Sequence, residues 1–174
     1  MTASVQDLDR LLGLTVDASE GEEVILTGKI AKVASYARVL TLRGCMFAPD
    51  ALQSAHLWRT NTISLNDRMP PLGLSALAAF EGVQRLKLEN VGQIPVGELR
   101  ACLEAMSCLE DISIVSPCTR AWACFDLCSA LVRSCVEVVH IELGEVDRMT
   151  HSRCMGVLGS MYLREQYVSF SGVV

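Results

Sequence analysis

The chain is short of charge, of aromatics and of every recognisable chemical motif. Asp, Glu, Lys and Arg together make up 20% of its 174 residues, and Phe, Trp and Tyr 5%. Sparse charge beside 51% hydrophobic residues excludes intrinsic disorder, which needs the opposite balance. Basic residues are outnumbered, 15 against 20, for a net charge of -5. That excludes a sequence-independent grip on a phosphate backbone. No basic stripe is interleaved with aromatics either, so no nucleic-acid partner is expected. No apolar run reaches the roughly 18–20 residues of a membrane-spanning helix. The opening MTASVQDLDRLLGL lacks the basic region, apolar core and small-residue cleavage site of a secretory signal. No Gly-x-Gly-x-x-Gly or Gly-x4-Gly-Lys follows an apolar run, so no nucleotide cofactor is expected. Eight cysteines contain no Cys-x-x-Cys pair, and the gaps from Cys102 through Cys108, Cys118, Cys124, Cys128, Cys135 and Cys154 match no zinc framework. Without an export signal these thiols are read as reduced, in an intracellular and most simply cytoplasmic compartment.

What is present is repetition. Two apolar residues separated by one recur as Leu40 and Leu42, Ile63 and Leu65, Leu86 and Leu88, Ile112 and Ile114, Val139 and Ile141, and Val168 and Phe170. The first members are 23, 23, 26, 27 and 29 residues apart. Alternation by two marks a strand with one face buried. Between the doublets the period lengthens. Leu74, Leu77, Phe80 and Val83 lead into Leu86, Leu99, Cys102, Met106 and Leu109 into Ile112, and Phe125, Cys128 and Leu131 into Val136 and Val139. Steps of three and four are one face of a helix. Cys124, Cys128 and Cys135 fall on such a face and are read as core packing. Thr62, Ser64 and Asn66, or Arg85, Lys87 and Glu89, occupy the other face of the strands, which is therefore wet. This disfavours a doubly wound α/β domain, whose parallel strands are apolar on both faces.

Strand, turn, helix and return, repeated, resemble the leucine-rich repeat, L-x-x-L-x-L-x-x-N/C-x-L with a period of 20–29 residues. Val83, Leu86 and Leu88 match its first half, as do Leu109, Ile112 and Ile114, and Val136, Val139 and Ile141. Leu40, Leu42, Cys45 and Phe47 match the later part. Arg68, Val91 and Pro117 depart from it at the Asn/Cys slot. The resemblance is to intracellular, ribonuclease-inhibitor-like and cysteine-containing repeats. It implies an α/β right-handed solenoid with parallel strands on the concave face and helices on the convex face. Residues 36–174 would form about six irregular repeats. Residues 1–35 would be an N-terminal cap, with a short helix in SVQDLDRLLGL, a polar linker in ASEGEE and a strand-helix lead-in.

Stacking would align the outward side chains in rows. The central row is predicted as Thr41, Ser64, Lys87, Ser113, His140 and Ser169. Beside it run Val39, Thr62, Arg85, Asp111, Val138 and Tyr167 on one side, and Arg43, Asn66, Glu89, Val115, Glu142 and Ser171 on the other. Thr41, Arg43, Asn66, Arg85, Lys87, Glu89, Asp111, His140 and Glu142 are the candidate partner-binding residues. They are polar and mixed in sign, which suits a protein partner rather than an apolar small molecule. The strand ending in Val168 and Phe170 has no further repeat to cover it, so a partner or a second copy is expected there. Of the three histidines, His56, His140 and His151, only His140 sits on a predicted strand face, with Glu142 two residues on, and it is read as a surface contact rather than a catalytic base. Trp58 and Trp122 could anchor a partner but are read as packing between helices. The implied function is a non-catalytic protein-interaction module, a scaffold or subunit of a larger intracellular assembly. The alternatives are a substrate-recognition adaptor, as in ubiquitin-dependent degradation, and a small α/β enzyme. No cofactor or metal is expected.

Overall fold

In the computed structural model, residues 13–17, 24–26, 33–43, 45–47, 58–66, 72–89, 96–116, 120–132 and 134–174 are described. The strands are β1 (Gly13–Asp17), β2 (Val24–Leu26), β3 (Val39–Arg43), β4 (Cys45–Phe47), β5 (Thr62–Asn66), β6 (Arg85–Glu89), β7 (Asp111–Ser116), β8 (Val138–Leu143) and β9 (Glu165–Phe170). The helices are α1 (Leu72–Leu77), α2 (Val96–Ala105), α3 (Ala121–Leu131) and α4 (Arg148–Gly159). Strands β1, β3, β5, β6, β7, β8 and β9 form one sheet in that order, and every neighbouring pair is parallel. Strands β2 and β4 pair in a second, small parallel sheet. The order of the large sheet follows the chain without reversal, so it has no switch point at which a doubly wound sheet opens its ligand crevice.

The alternation in sequence becomes a division between faces. Leu40, Leu42, Ile63, Leu65, Leu86, Leu88, Ile112, Ile114, Val139 and Ile141 are all buried, and together with Leu74, Leu77, Leu99, Cys102, Leu127, Cys128, Leu131, Cys154 and Leu158 of the helices they form one core cluster. Consecutive helices pack against one another in chain order, covering that face. The opposite face keeps its partly or fully exposed side chains. Five of the six apolar doublets are thus buried as predicted, and the sixth, Val168 and Phe170, is partly buried against the same core.

The structure corrects the ends. Seven strands join the large sheet where the pattern gave six, because Gly13–Asp17, whose first two residues were expected to end a short helix, pairs in register with β3. Leu14 and Val16 are its inward doublet and pack against the core. The remainder of the expected N-terminal helix lies outside the described residues. At the other end the register is displaced by two residues. Val139 pairs with Gln166, Ile141 with Val168 and Leu143 with Phe170, so the last repeat step is 27 residues rather than 29. A slip of two leaves every side chain on its own face, so the hydrophobic pattern cannot detect it. Residues 39–47, read as one apolar run, divide between β3 and β4 of different sheets. Arg68, Val91 and Pro117 lie outside the described residues, as does the side chain of Cys45.

Helix periods run on past the helices. Phe80 and Val83 follow the end of α1, Leu109 follows α2 and Val136 follows α3, and all are buried in the return turns. Trp58 is buried with its ring edge-on to Phe80, centroids 5.1 Å apart, a packing role as predicted. The side chain of Trp122 is outside the described set. Cys124 and Cys128 are core residues, but Cys135 lies beyond the end of α3 and is exposed, because the chain has already left the helix there.

Helix α4 has an explicit start. Asp147 accepts hydrogen bonds from the Thr150 backbone N at 2.8 Å and from Thr150 Oγ1 at 2.7 Å. These bonds hold its carboxyl below the usual carboxylate value, the hydroxyl contributing most. A carboxylate depressed on folding stabilises the fold above its unfolded pKa and loses that contribution as pH falls through the folded value. Asp147→Ala should therefore lower the melting temperature at pH 7, and the gap from the parent should narrow progressively below about pH 4. A difference constant from pH 7 to pH 2 would show that the carboxylate is not the stabilising group.

Candidate functional site

The open face is built strand by strand from the outward positions. Backbone pairing aligns Thr15, Thr41, Ser64, Lys87, Ser113, His140 and Tyr167 as its central row. On the N-terminal side run Val39, Thr62, Arg85, Asp111, Val138 and Glu165, and on the C-terminal side Arg43, Asn66, Glu89, Val115, Glu142 and Ser169. The last members differ from the predicted Ser169, Tyr167 and Ser171 because of the two-residue displacement of β9. Its consequence is chemical, since an aromatic ring replaces a serine beside His140. The His140 and Tyr167 rings lie 4.5 Å apart at 31°.

All nine candidate residues lie on this one face, and several touch. Asn66 Nδ2 donates to Glu89 Oε2 at 3.3 Å. Arg85 Nε stands 3.9 Å from Asp111 Oδ2. His140 Nε2 is 3.1 Å from Glu142 Oε1. Lys87 is exposed in the middle of the face and has no acidic partner among the described residues. Exposed ion pairs of this kind contribute at most about 1 kcal/mol each, so they shape the surface more than they hold the fold.

A further polar row, which the pattern search missed, runs along the N-terminal edge of the face. Asn61 N donates to Arg38 O, Gln84 N to Asn61 O, Glu110 N to Gln84 O, Glu137 N to Glu110 O and Arg164 N to Glu137 O, all at 2.8–2.9 Å. These bonds place Arg38, Asn61, Gln84, Glu110, Glu137 and Arg164 side by side. The signal available in sequence was the residue two before the doublets of β3, β5, β6, β7 and β8, which is polar at all five; at β9 the same count gives Gln166 instead of Arg164. With the rows above, this edge divides the face by charge. Arg38, Arg43, Arg85 and Lys87 lie toward β3–β6, with Glu89 the one acid of the three rows there, and Glu110, Asp111, Glu137, Glu142 and Glu165 lie toward β7–β9, where Arg164 pairs with Glu137 at 3.7 Å.

Ser113 and His140 are register neighbours, with Glu142 on the ring nitrogen Nε2. No hydrogen bond joins Ser113 to His140, the contact through which a base would activate a hydroxyl nucleophile. His151 instead packs edge-on against Phe170, centroids 5.1 Å apart, and His56 lies outside the described residues. Among the described residues no group of three or more His, Cys, Asp or Glu side chains could hold a metal ion, and no helix is long and apolar enough to cross a membrane. The six cysteines whose side chains are described, Cys102, Cys108, Cys124, Cys128, Cys135 and Cys154, are free thiols. No protein-family model and no curated protein matches this chain.

Proposed function

We propose that the chain is a non-catalytic protein-interaction module, a leucine-rich-repeat-like solenoid whose open sheet face docks a protein partner within a larger intracellular assembly. The observation that carries this reading is a parallel sheet in strict chain order with one face buried by helices and the other lined by polar rows. Register-equivalent positions Leu14, Leu40, Ile63, Leu86, Ile112, Val139 and Gln166, all but the exposed Gln166 turned inward, step by 26, 23, 23, 26, 27 and 27 residues, within the range of such repeats. Strand-helix units of this kind stack on nearest neighbours and leave a long surface for recognition. Mixed charge with Tyr167 and His140 in the central row favours a protein ligand, because aromatic residues dominate binding hot spots while flanking charges set orientation. Free thiols fit a reducing compartment.

Affinity capture from the source cell followed by binding measurements on the captured protein tests the reading. Replacing Lys87 and Glu89 together by alanine should weaken the complex roughly tenfold, about 1.4 kcal/mol, while circular dichroism stays unchanged. Undiminished affinity would move the contact to the helical face or to the outer edge of β9.

A further inference from the structure

Where β3, β5 and β6 begin, Arg38, Val39, Asn61, Thr62, Gln84 and Arg85 line a cleft of about 310 Å³. We propose that this cleft is the docking site for an acidic peptide segment, with partner carboxylates held by Arg38 and Arg85. The inference rests on the reading of the open face as a docking surface and adds the chemistry of what docks there.

The two arginines are poorly compensated. Arg38 is exposed and its guanidinium has no acidic partner among the described residues. Arg85 is 66% exposed and meets Asp111 only through Nε, at 3.9 Å, the outer limit of an ion pair. A guanidinium has five N–H donors in a planar fork matched to a carboxylate. Strand β5 separates the two arginines, so their backbones stand roughly two strand spacings, or 10 Å, apart. Carboxylates on alternate residues of an extended peptide are roughly 7 Å apart, a span that two flexible arginine side chains can meet.

The remaining lining suits a peptide rather than a free anion. Asn61 lies between the arginines and Gln84 next to Arg85, and both offer amide groups to a main chain. Asn61 Oδ1 already accepts the Thr62 hydroxyl at 3.2 Å, which fixes that oxygen and leaves the NH₂ to donate outward. Val39, 40% exposed, is also in the lining and gives an apolar side chain a surface to pack on. Beyond β6 the sign inverts at Glu110 and Asp111, then at Glu137 and Glu165. A longer acidic run would meet those carboxylates, so the site selects a short acidic stretch followed by basic residues, by repulsion as well as attraction. The larger cleft of about 700 Å³ before β8 and β9 offers no such match among the described residues, since Arg164 in its lining stands 3.7 Å from Glu137, which also lines it.

Fluorescence anisotropy with labelled peptides EEEGKKK, EEEEEE and KKKKKK tests the proposal on the whole chain. EEEGKKK should bind best and lose affinity as NaCl rises. Arg38→Glu with Arg85→Glu should weaken it at least roughly tenfold, since like charges would then face each other. Arg38→Ala alone should give an intermediate loss, and Arg148→Glu on α4 should leave affinity unchanged. Both arginines project into solvent, so circular dichroism should match the parent. The proposal is overturned if the parent binds neither glutamate peptide, if the double variant binds as well as the parent, or if only a phosphoserine version of EEEGKKK binds. Its failure is separable from failure of the broader reading. A partner lost on Lys87 and Glu89 substitution with no peptide bound would keep the face and remove this cleft, and peptide binding without any partner at the face would do the reverse.

Discussion

Leu88→Ala should cost about 2–5 kcal/mol of folding free energy, whereas Lys87→Ala, one residue earlier, should change it by no more than about 0.5 kcal/mol. Leu88 is completely buried between Leu65 and Ile114 of the flanking strands. Removing its isobutyl group loses the transfer free energy of the buried methyl and methylene groups, and the neighbours cannot close the gap. Each is locked to the ladder on both sides. Lys87 points to the solvated face, and nothing among the described residues depends on its charge. Urea unfolding of both variants provides the measurement, with the midpoint shifted for Leu88→Ala and nearly fixed for Lys87→Ala. Equal shifts would mean that the two faces of β6 are not divided as the burial pattern indicates.

A second large contrast is expected among the thiols. Burial pushes the Cys102 thiol up to about 12 and the Cys124 thiol to about 11, from 9.0. Cys128 is raised further by burial and by its neighbour Cys154, which is itself raised by burial. Because the thiolate is the reacting species, burial of Cys102 lowers its reactive fraction by orders of magnitude at pH 8. Steric exclusion adds to that, since reagent reaches these sulfurs only through local opening. Cys108 and Cys135 are exposed, so reagent reaches their sulfurs without any opening of the fold. Iodoacetamide at pH 8 with peptide mapping should find Cys108 and Cys135 alkylated early, with Cys102, Cys124, Cys128 and Cys154 modified only as the protein opens. Alkylation of Cys102 at the rate of Cys135 would contradict the packing of α2 on the sheet. The result also bears on Cys135 directly. Its spacing from Cys128 is helical, yet α3 ends at Leu131, and reactivity distinguishes the two placements.

The pattern of alternating apolar residues was enough to locate β3, β5, β6, β7 and β8, to orient their faces and to name nine side chains on the open surface. Each of these strands has a neighbour on both sides, so its doublet must be apolar at both positions, and burial leaves a clear mark in the residues themselves. The helix residues Leu74, Leu99 and Cys102 were legible from their steps of three and four, whereas Trp58 carried no periodic signal and its packing role came from its residue type alone. Strand β1 was not, because Leu11 and Leu12 beside the inward Leu14 and Val16 blur a period of two into one of three or four.

Hydrophobic periodicity in the chain alone therefore determined which residues turn inward, since burial selects side-chain chemistry position by position. Only the folded sheet decided how the strands slide against one another. At β9 both candidate registers put Val168 and Phe170 inward, and the main-chain ladder to β8 places Gln166 opposite Val139 and brings Tyr167 beside His140. Main-chain bonds between successive turns likewise gathered Arg38, Asn61 and Gln84 apart from Glu110 and Glu137, a separation of charge across residues 23–27 positions apart. Apolar side chains carry the information about facing, and backbone hydrogen bonds, which are the same for every residue type, carry the information about register.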